Sequence, residues 1–256
     1  TTVAGKVVAA LLTALVAAVL SGIAFISGNW RETETPVEPP VVRATTVDDN
    51  GEVDEFAPYA GLSPEGKRIL GNHFDSLGGR ASISRIRSLR IEGIIELEEE
   101  IQRDLLVIKK GGDHLRISLA GPHATIVMAI SPEDAWRSVE QSGRVLDVKD
   151  LDPDQKVELD DSMDLVTELL LVPERGWSLR YLGNRDFDYK VCHAFEVDHG
   201  DGRTVRFFLD PENFHDIGRE EVYKNEAGEL VVVRRHQSDF EKVNGFSFPK
   251  KVTIRE

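Results

Sequence analysis

The densest grouping of residues that could do chemistry is Asp150 to Asp161 (DLDPDQKVELDD). Its carboxylates fall at the first, third, fifth, ninth and twelfth places of a calcium-binding loop, with an apolar residue at the eighth. Such a loop needs a glycine at the sixth place for its sharp turn and a bidentate glutamate at the last. Here those places hold Gln155 and Asp161. An acidic helix start accounts for the segment better, because carboxylates in a first turn complement the helix dipole. The seven histidines show neither His-x-x-x-His nor His-Glu-x-x-His spacing, so no metal site is expected. His193 and His199 flank a hairpin and His114 and His123 sit at strand ends, where polar residues are ordinary. Gly61-Leu62-Ser63-Pro64-Glu65-Gly66 places its second glycine one residue too late for a nucleophile elbow, and Ser63 reads as a helix cap. Cys192, the only cysteine, falls within an apolar strand-like run that predicts burial rather than reactivity. With no nucleophile and base in register, the reading is a non-enzymatic protein without a cofactor.

Composition narrows the partners. The chain has 31 Lys and Arg against 45 Asp and Glu, a net charge of -14, which argues against nucleic acid because neutralising phosphates requires clustered cations. The one basic concentration, Arg80 to Arg90, carries Ile83, Ile86 and Leu89 at helical spacing and reads as the solvated face of a packed helix. Val7 to Ser27 is uncharged and long enough as a helix to cross a hydrocarbon core of about 30 Å. Lys6 precedes it and Glu32, Glu34 and Glu38 follow, which predicts a cytoplasmic N-terminus and a single-pass membrane anchor with the remainder outside the cytoplasm. A cleaved secretory signal ending near Gly22-Ile23-Ala24 is the alternative, but the apolar run continues through Phe25 and Ile26. Lipidation at this point is excluded, since Ile23 stands where the modified cysteine would be.

The elements follow from periodicity. Residues 29–62, with Pro36, Pro39, Pro40 and Pro58 among acids, read as an extended tether after a 1–28 anchor. Ser63-Pro64 opens a helix with Ile69, Leu70, Phe74 and Leu77 on one stripe, Gly78-Gly79 ends it, and a second short helix covers about Ala81 to Ser88. Leu89, Ile91, Gly93, Ile95 and Leu97 then alternate with mostly charged residues, as a strand with one buried face does. Strands are expected at 105–109, 114–119, 124–130 and 135–139, then at 177–182, 187–197, 203–209, 214–221, 230–240 and 246–254. Asp201-Gly202 and Ala227-Gly228 stand at hairpin turns. Between the two sets, Asp152 to Leu171 reads as a helix with Leu159, Met163, Val166 and Leu170 on one face and Pro173 after its end. The fold class is therefore α+β: about ten or eleven antiparallel strands in one wide sheet, which at that width curls, covered by a few helices. Leu105-Leu106-Val107-Ile108, Phe207-Phe208 and Val231-Val232-Val233 are apolar on both strand faces. That pattern suits an apolar cavity between sheet and helix.

Several local signatures resemble the LolA-like family of periplasmic lipoprotein carriers and outer-membrane lipoprotein-sorting proteins. His73-Phe74-Asp75-Ser76-Leu77-Gly78-Gly79 with Ile86-Arg87-Ser88-Leu89-Arg90-Ile91-Glu92-Gly93 is similar to the family's opening helix, double glycine and first strand. Ser131-Pro132-Glu133-Asp134-Ala135-Trp136 resembles its mid-sheet turn, and Phe207-Phe208-Leu209-Asp210 its late strand. Ser238-Asp239-Phe240, Val243-Asn244-Gly245 and Phe248-Pro249 are similar to its last hairpin. The resemblance covers Pro64 to Glu256. It implies an incomplete β-barrel over 63–256, closed by helices, whose apolar cavity holds acyl chains without catalysis. Leu106, Ile108, Trp136, Met163, Phe207 and Val232 are the expected lining. The expected partner is a lipid or lipidated protein, with no nucleic acid; the alternative is an envelope sensor or interaction subunit that contacts a membrane protein through the same fold.

Overall fold

The computed structural model describes residues 56–255 apart from 60, 98–100, 153–154, 157–158, 160–162 and 225–228. The apolar run at Val7 to Ser27, the tether up to residue 55 and the Ala227-Gly228 turn lie outside the described residues. Among the described residues no helix is long and apolar enough to cross a membrane.

Helix α1 spans Pro64–Ser76. Ser63 caps it as its sequence requires, its Oγ accepting a hydrogen bond from the Gly66 amide at 3.1 Å, and Ile69, Leu70 and Phe74 form its buried stripe. The chain leaves it through Gly78 and Gly79, whose φ angles of 120° and 92° suit residues without Cβ. The second helix, α2, is one turn, Arg80–Ile83, with Ile83 buried. Ile86 and Leu89 do not join it, because the chain is already extended at Ser88 and period two sets in.

The expected single wide sheet is two. Strands β1 (Ser88–Leu97), β2 (Ile101–Lys110), β3 (His114–Ala120), β4 (Thr125–Ile130), β5 (Ala135–Gln141) and β6 (Arg144–Asp150) form one six-stranded meander. Strands β7 (Ser178–Phe187), β8 (Lys190–Asp198), β9 (Thr204–Leu209), β10 (Asp216–Lys224), β11 (Leu230–Val243) and β12 (Phe246–Arg255) form another, again in sequence order. Strand β6 was not expected, the periodicity assigning residues 144–149 to no element; it is held by a Ser142-Gly143 turn whose positive φ angles, 50° and 74°, build a tight hairpin. The chain divides into two interleaved compact units, and one of the boundaries between them falls within β11, after His236.

In the first unit the inward face of β1 is the one the alternation predicts, with Leu89, Ile91 and Ile95 buried. They pack with Val107, Ile117 and Met128 of the following strands, and Met163 and Leu165 pack against the same core. Lys109 lies on that face, almost fully buried, its Nζ donating to the Asp164 carbonyl at 3.0 Å. Buried ammonium groups need such partners.

The helix expected over Asp152 to Leu171 is replaced by a break. Residues 155, 156 and 159 are helical, residues 163–167 are not, and helix α3 spans Glu168–Arg175 with Pro173 inside it. Proline lacks the amide that would bond the carbonyl four residues earlier, that of Leu169. The Tyr59 hydroxyl takes that place, donating to the Leu169 carbonyl at 3.0 Å. Tyr59 and Leu62 are buried, so the second unit reaches back into the segment expected to be a tether, to at least Phe56, whose ring lies 3.2 Å from where a Cβ on Gly71 would stand.

Candidate functional site

The second unit's sheet has an inward face that changes character across the strands. Register aligns Tyr181, Phe195, Phe207, Arg219 and Arg235 in one row from β7 to β11, and Leu179, Val197, Val205, Glu221 and Val233 in the next. Over β8 and β9 these rows are apolar and buried, with Leu179 and Tyr181 of β7 half-buried; over β10 and β11 they place Arg219, Glu221 and Arg235 at inward positions. Helix α1 meets the apolar side, where a Cβ on Gly66 would stand 3.0 Å from Tyr181 Cβ.

Helix α3 meets the charged side through Glu168, in its first turn. Glu168 Oε2 accepts a hydrogen bond from His199 Nε2 at 3.1 Å, and its other oxygen lies 3.6 Å from Arg219 Nη1. Arg219 Nε donates to Asp216 Oδ2 at 2.6 Å, and its guanidinium sits over the Phe207 ring, 4.7 Å from the centroid. Arg203 donates from Nη2 to His199 Nδ1 at 2.9 Å and from Nη1 faces Glu221 Oε1 at 3.6 Å. The guanidinium can only donate, so Nδ1 is the acceptor and His199 is the neutral Nε2–H tautomer. Trp177 lies against its ring, with centroids 4.1 Å apart.

The titration behaviour follows from these contacts. Burial raises the Glu168 carboxyl, but the His199 hydrogen bond and the charges of Arg219 and Arg203 outweigh it and hold it below the usual range. Burial raises Glu221, which Arg203 relieves only in part. Burial and then the charge of Arg219 push Arg235 down to about 9. Beside this group His73 is fully buried on α1, its Nδ1 donating to the Phe214 carbonyl at 2.8 Å, and burial lowers its pKa.

Chemically the cluster holds rather than reacts. Three guanidiniums (Arg203, Arg219, Arg235) face three carboxylates (Glu168, Asp216, Glu221), and both ring nitrogens of His199 are engaged, which leaves it no lone pair for base catalysis. Glu168, Glu221 and His199 are ligand types for a divalent cation, but the carboxylates already face arginines that a cation would have to displace. The cluster was missed in the sequence because its members are far apart in the chain. One signal was there: Val231, Val233 and Arg235 share one strand phase, so an arginine stands where the alternation demands an apolar residue. His199, expected as a strand-edge residue, is instead buried within it.

The outward face of the same sheet carries a second charged row, Arg180, Glu196, Arg206, Glu220 and Arg234, aligned by register across five strands. Glu196 pairs with both Arg180 and Arg206, and Glu220 pairs with Arg206 and Arg234, at 3.8 and 2.9 Å.

The six residues expected to line a cavity are divided between the units. Phe207 is fully buried in the second unit, while Val232 is exposed on that sheet's outward face. Met163 packs on the first unit's core. The structure brings three together: Leu106, Ile108 and Trp136 share the face of the first sheet opposite that core. Ile108 and Trp136 fall in one row with Arg116 and Ala129, and Leu106 falls in the adjacent row with Ser118, Val127 and Ser138. Leu106, Ile108 and Trp136 are half-buried, and Ile94 at one end of the same face is exposed.

No family model and no curated protein matches the chain. Among solved structures it is similar to a DUF1329 family protein from Desulfovibrio piger, 12% identical, over 74% of this chain and 85% of that one, with a TM-score of 0.44. It is also similar to MucB, 12% identical, over 75% of this chain and 59% of that one, TM-score 0.26. MucB in complex with MucA from Pseudomonas aeruginosa gives 12% identity, coverage of 72% and 56%, and a TM-score of 0.22. These likenesses identify no family.

Proposed function

We propose that this chain is a non-catalytic binding module of the bacterial envelope, anchored in the inner membrane by Val7 to Ser27 with its folded part in the periplasm, that takes an acyl chain or a lipidated protein. The observation that carries this reading is the second face of the first sheet. A sheet that only covers a core needs one apolar face, yet here the half-buried Leu106, Ile108, Ala129 and Trp136 give the opposite face an apolar surface as well. An acyl chain laid along it gains about 25 cal/mol for each Å² of apolar area removed from water, less the cost of association.

The test uses Trp136 as reporter. With Trp30 and Trp177 replaced by Phe, a fatty acid brominated along its chain should quench Trp136 saturably, and Ile108→Asp should abolish the quenching while far-ultraviolet circular dichroism is unchanged. Absence of saturable quenching would remove the acyl-binding reading. A second reading, an envelope sensor or interaction subunit, draws on a different feature: Tyr189, at the tip of the β7–β8 hairpin, is fully exposed beside exposed Val191.

A further inference from the structure

Strand β6 ends the first sheet, and no described strand pairs with its outer side. All seven residues are exposed; Val145, Leu146 and Val148 are 58%, 60% and 61% exposed. Three large apolar residues on an open edge form the arrangement that recruits another strand. The direction of its free backbone groups follows from its pairing with β5. Leu151 donates its amide to the Ala135 carbonyl at 3.0 Å, so by antiparallel alternation the Arg137↔Lys149 and Val139↔Asp147 pairs also exchange hydrogen bonds. The intervening residues, Val148 and Asp150, therefore turn their N–H and C=O groups away from β5, toward the open side.

This phase restricts which strand can add. If a second β6 docks antiparallel about a two-fold axis, the outward-bonding residues must face one another, and the axis passes through a single residue pair. Centred on Asp147, Lys149 or Asp150, the pairing sets that charge against its own copy. Centred on Val148, it sets Val148 against Val148, Asp147 against Lys149 twice and Leu146, the residue at the β5–β6 bulge, against Asp150 twice, with no like charges opposed. Charges on an edge ordinarily repel foreign strands. Here they are self-complementary in one register.

We infer that β6 is a homodimer interface, two copies joining antiparallel about Val148 to make one continuous sheet from the first sheets of both. In a Cys192→Ala background, the full chain in detergent should give an intermolecular disulfide on mild oxidation from Val148→Cys, whose two copies face across the axis within disulfide reach. Leu146→Cys should not, because its copy is displaced by four residues. Asp147→Lys should weaken the dimer about tenfold in sedimentation equilibrium by opposing lysines on both sides, and adding Lys149→Asp should restore it. Equal cross-linking of both cysteine variants, no cross-linking of either, or a dimer indifferent to Asp147→Lys would each overturn the inference.

Discussion

The Phe187 ring lies over Gly218 so closely that a Cβ there would stand 2.0 Å from its Cε1. Phe187 stacks on Phe208 at 4.5 Å and lies parallel to His236, so Gly218 is the floor of an aromatic stack on the outward face of β8 to β11. Adding a methyl must displace the ring, a cost of about 1–3 kcal/mol for overpacking. Gly218→Ala should show this in urea unfolding, and the loss should shrink in a Phe187→Ala background. Equal losses in both backgrounds would show that the ring does not set the constraint.

Tyr59→Phe removes the donor that replaces the missing amide of Pro173 and leaves a buried carbonyl short of a partner. The expected loss is about 1–2 kcal/mol. A chain beginning at Ser63 should lose more, because Tyr59 and Leu62 leave with their buried area. An unchanged melting temperature in that shortened chain would contradict the packing of the segment.

Arg219→Met should be among the costliest substitutions. It leaves Glu168 and Asp216 buried without their guanidinium, and breaking a buried pair in this way costs about 3–5 kcal/mol. Thermal unfolding measures it, and a loss under about 1 kcal/mol, typical of exposed pairs, would show that water reaches the cluster.

Acid should act through His73. Its folded pKa lies below the ordinary 6.5, so its contribution is complete above pH 6.5 and is lost as pH falls toward the folded value, because the unfolded chain takes the proton first. Glu168, also lowered, adds a loss of the same sign below pH 4.5. Stability of the wild type minus that of His73→Gln should therefore decline as pH falls from 6.5. A flat difference would mean that His73 binds a proton equally well in both states.

Cys192 is buried at 1% exposure, and burial raises its thiol to about 11. At neutral pH it should react with a thiol reagent only as fast as the protein opens, so denaturant should accelerate labelling by orders of magnitude. Immediate labelling of the native chain would refute this.

Local signals were the legible part of the fold. Ser63 and Pro64 state the start of α1, and the alternation from Leu89 states which face of β1 is buried. Patterns that depend on partners distant in sequence were not legible. Arg219 and Arg235 violate the apolar phase of their strands because Glu168 and Asp216 face the first and Glu221 the second. Pro173 fails to end a helix because Tyr59, over a hundred residues earlier, supplies a donor. Leu106, Ile108 and Trp136 could be marked as doubly apolar candidates, but only register shows that they share a face, while Phe207 and Val232 belong to a different sheet.

The interleaving of the two units also fixes the order in which they can be completed during synthesis. The first unit takes residues 86–167 and then 237–254, whereas the described part of the second takes 56–85, 168–236 and Arg255. A ribosome that has released His236 has delivered nearly all of the second unit's described residues, while the first, most of whose strands emerged earlier, still lacks 237–254. The earlier-made strands thus wait longest for their last partners, and chaperone demand during translation should fall on β1 to β6.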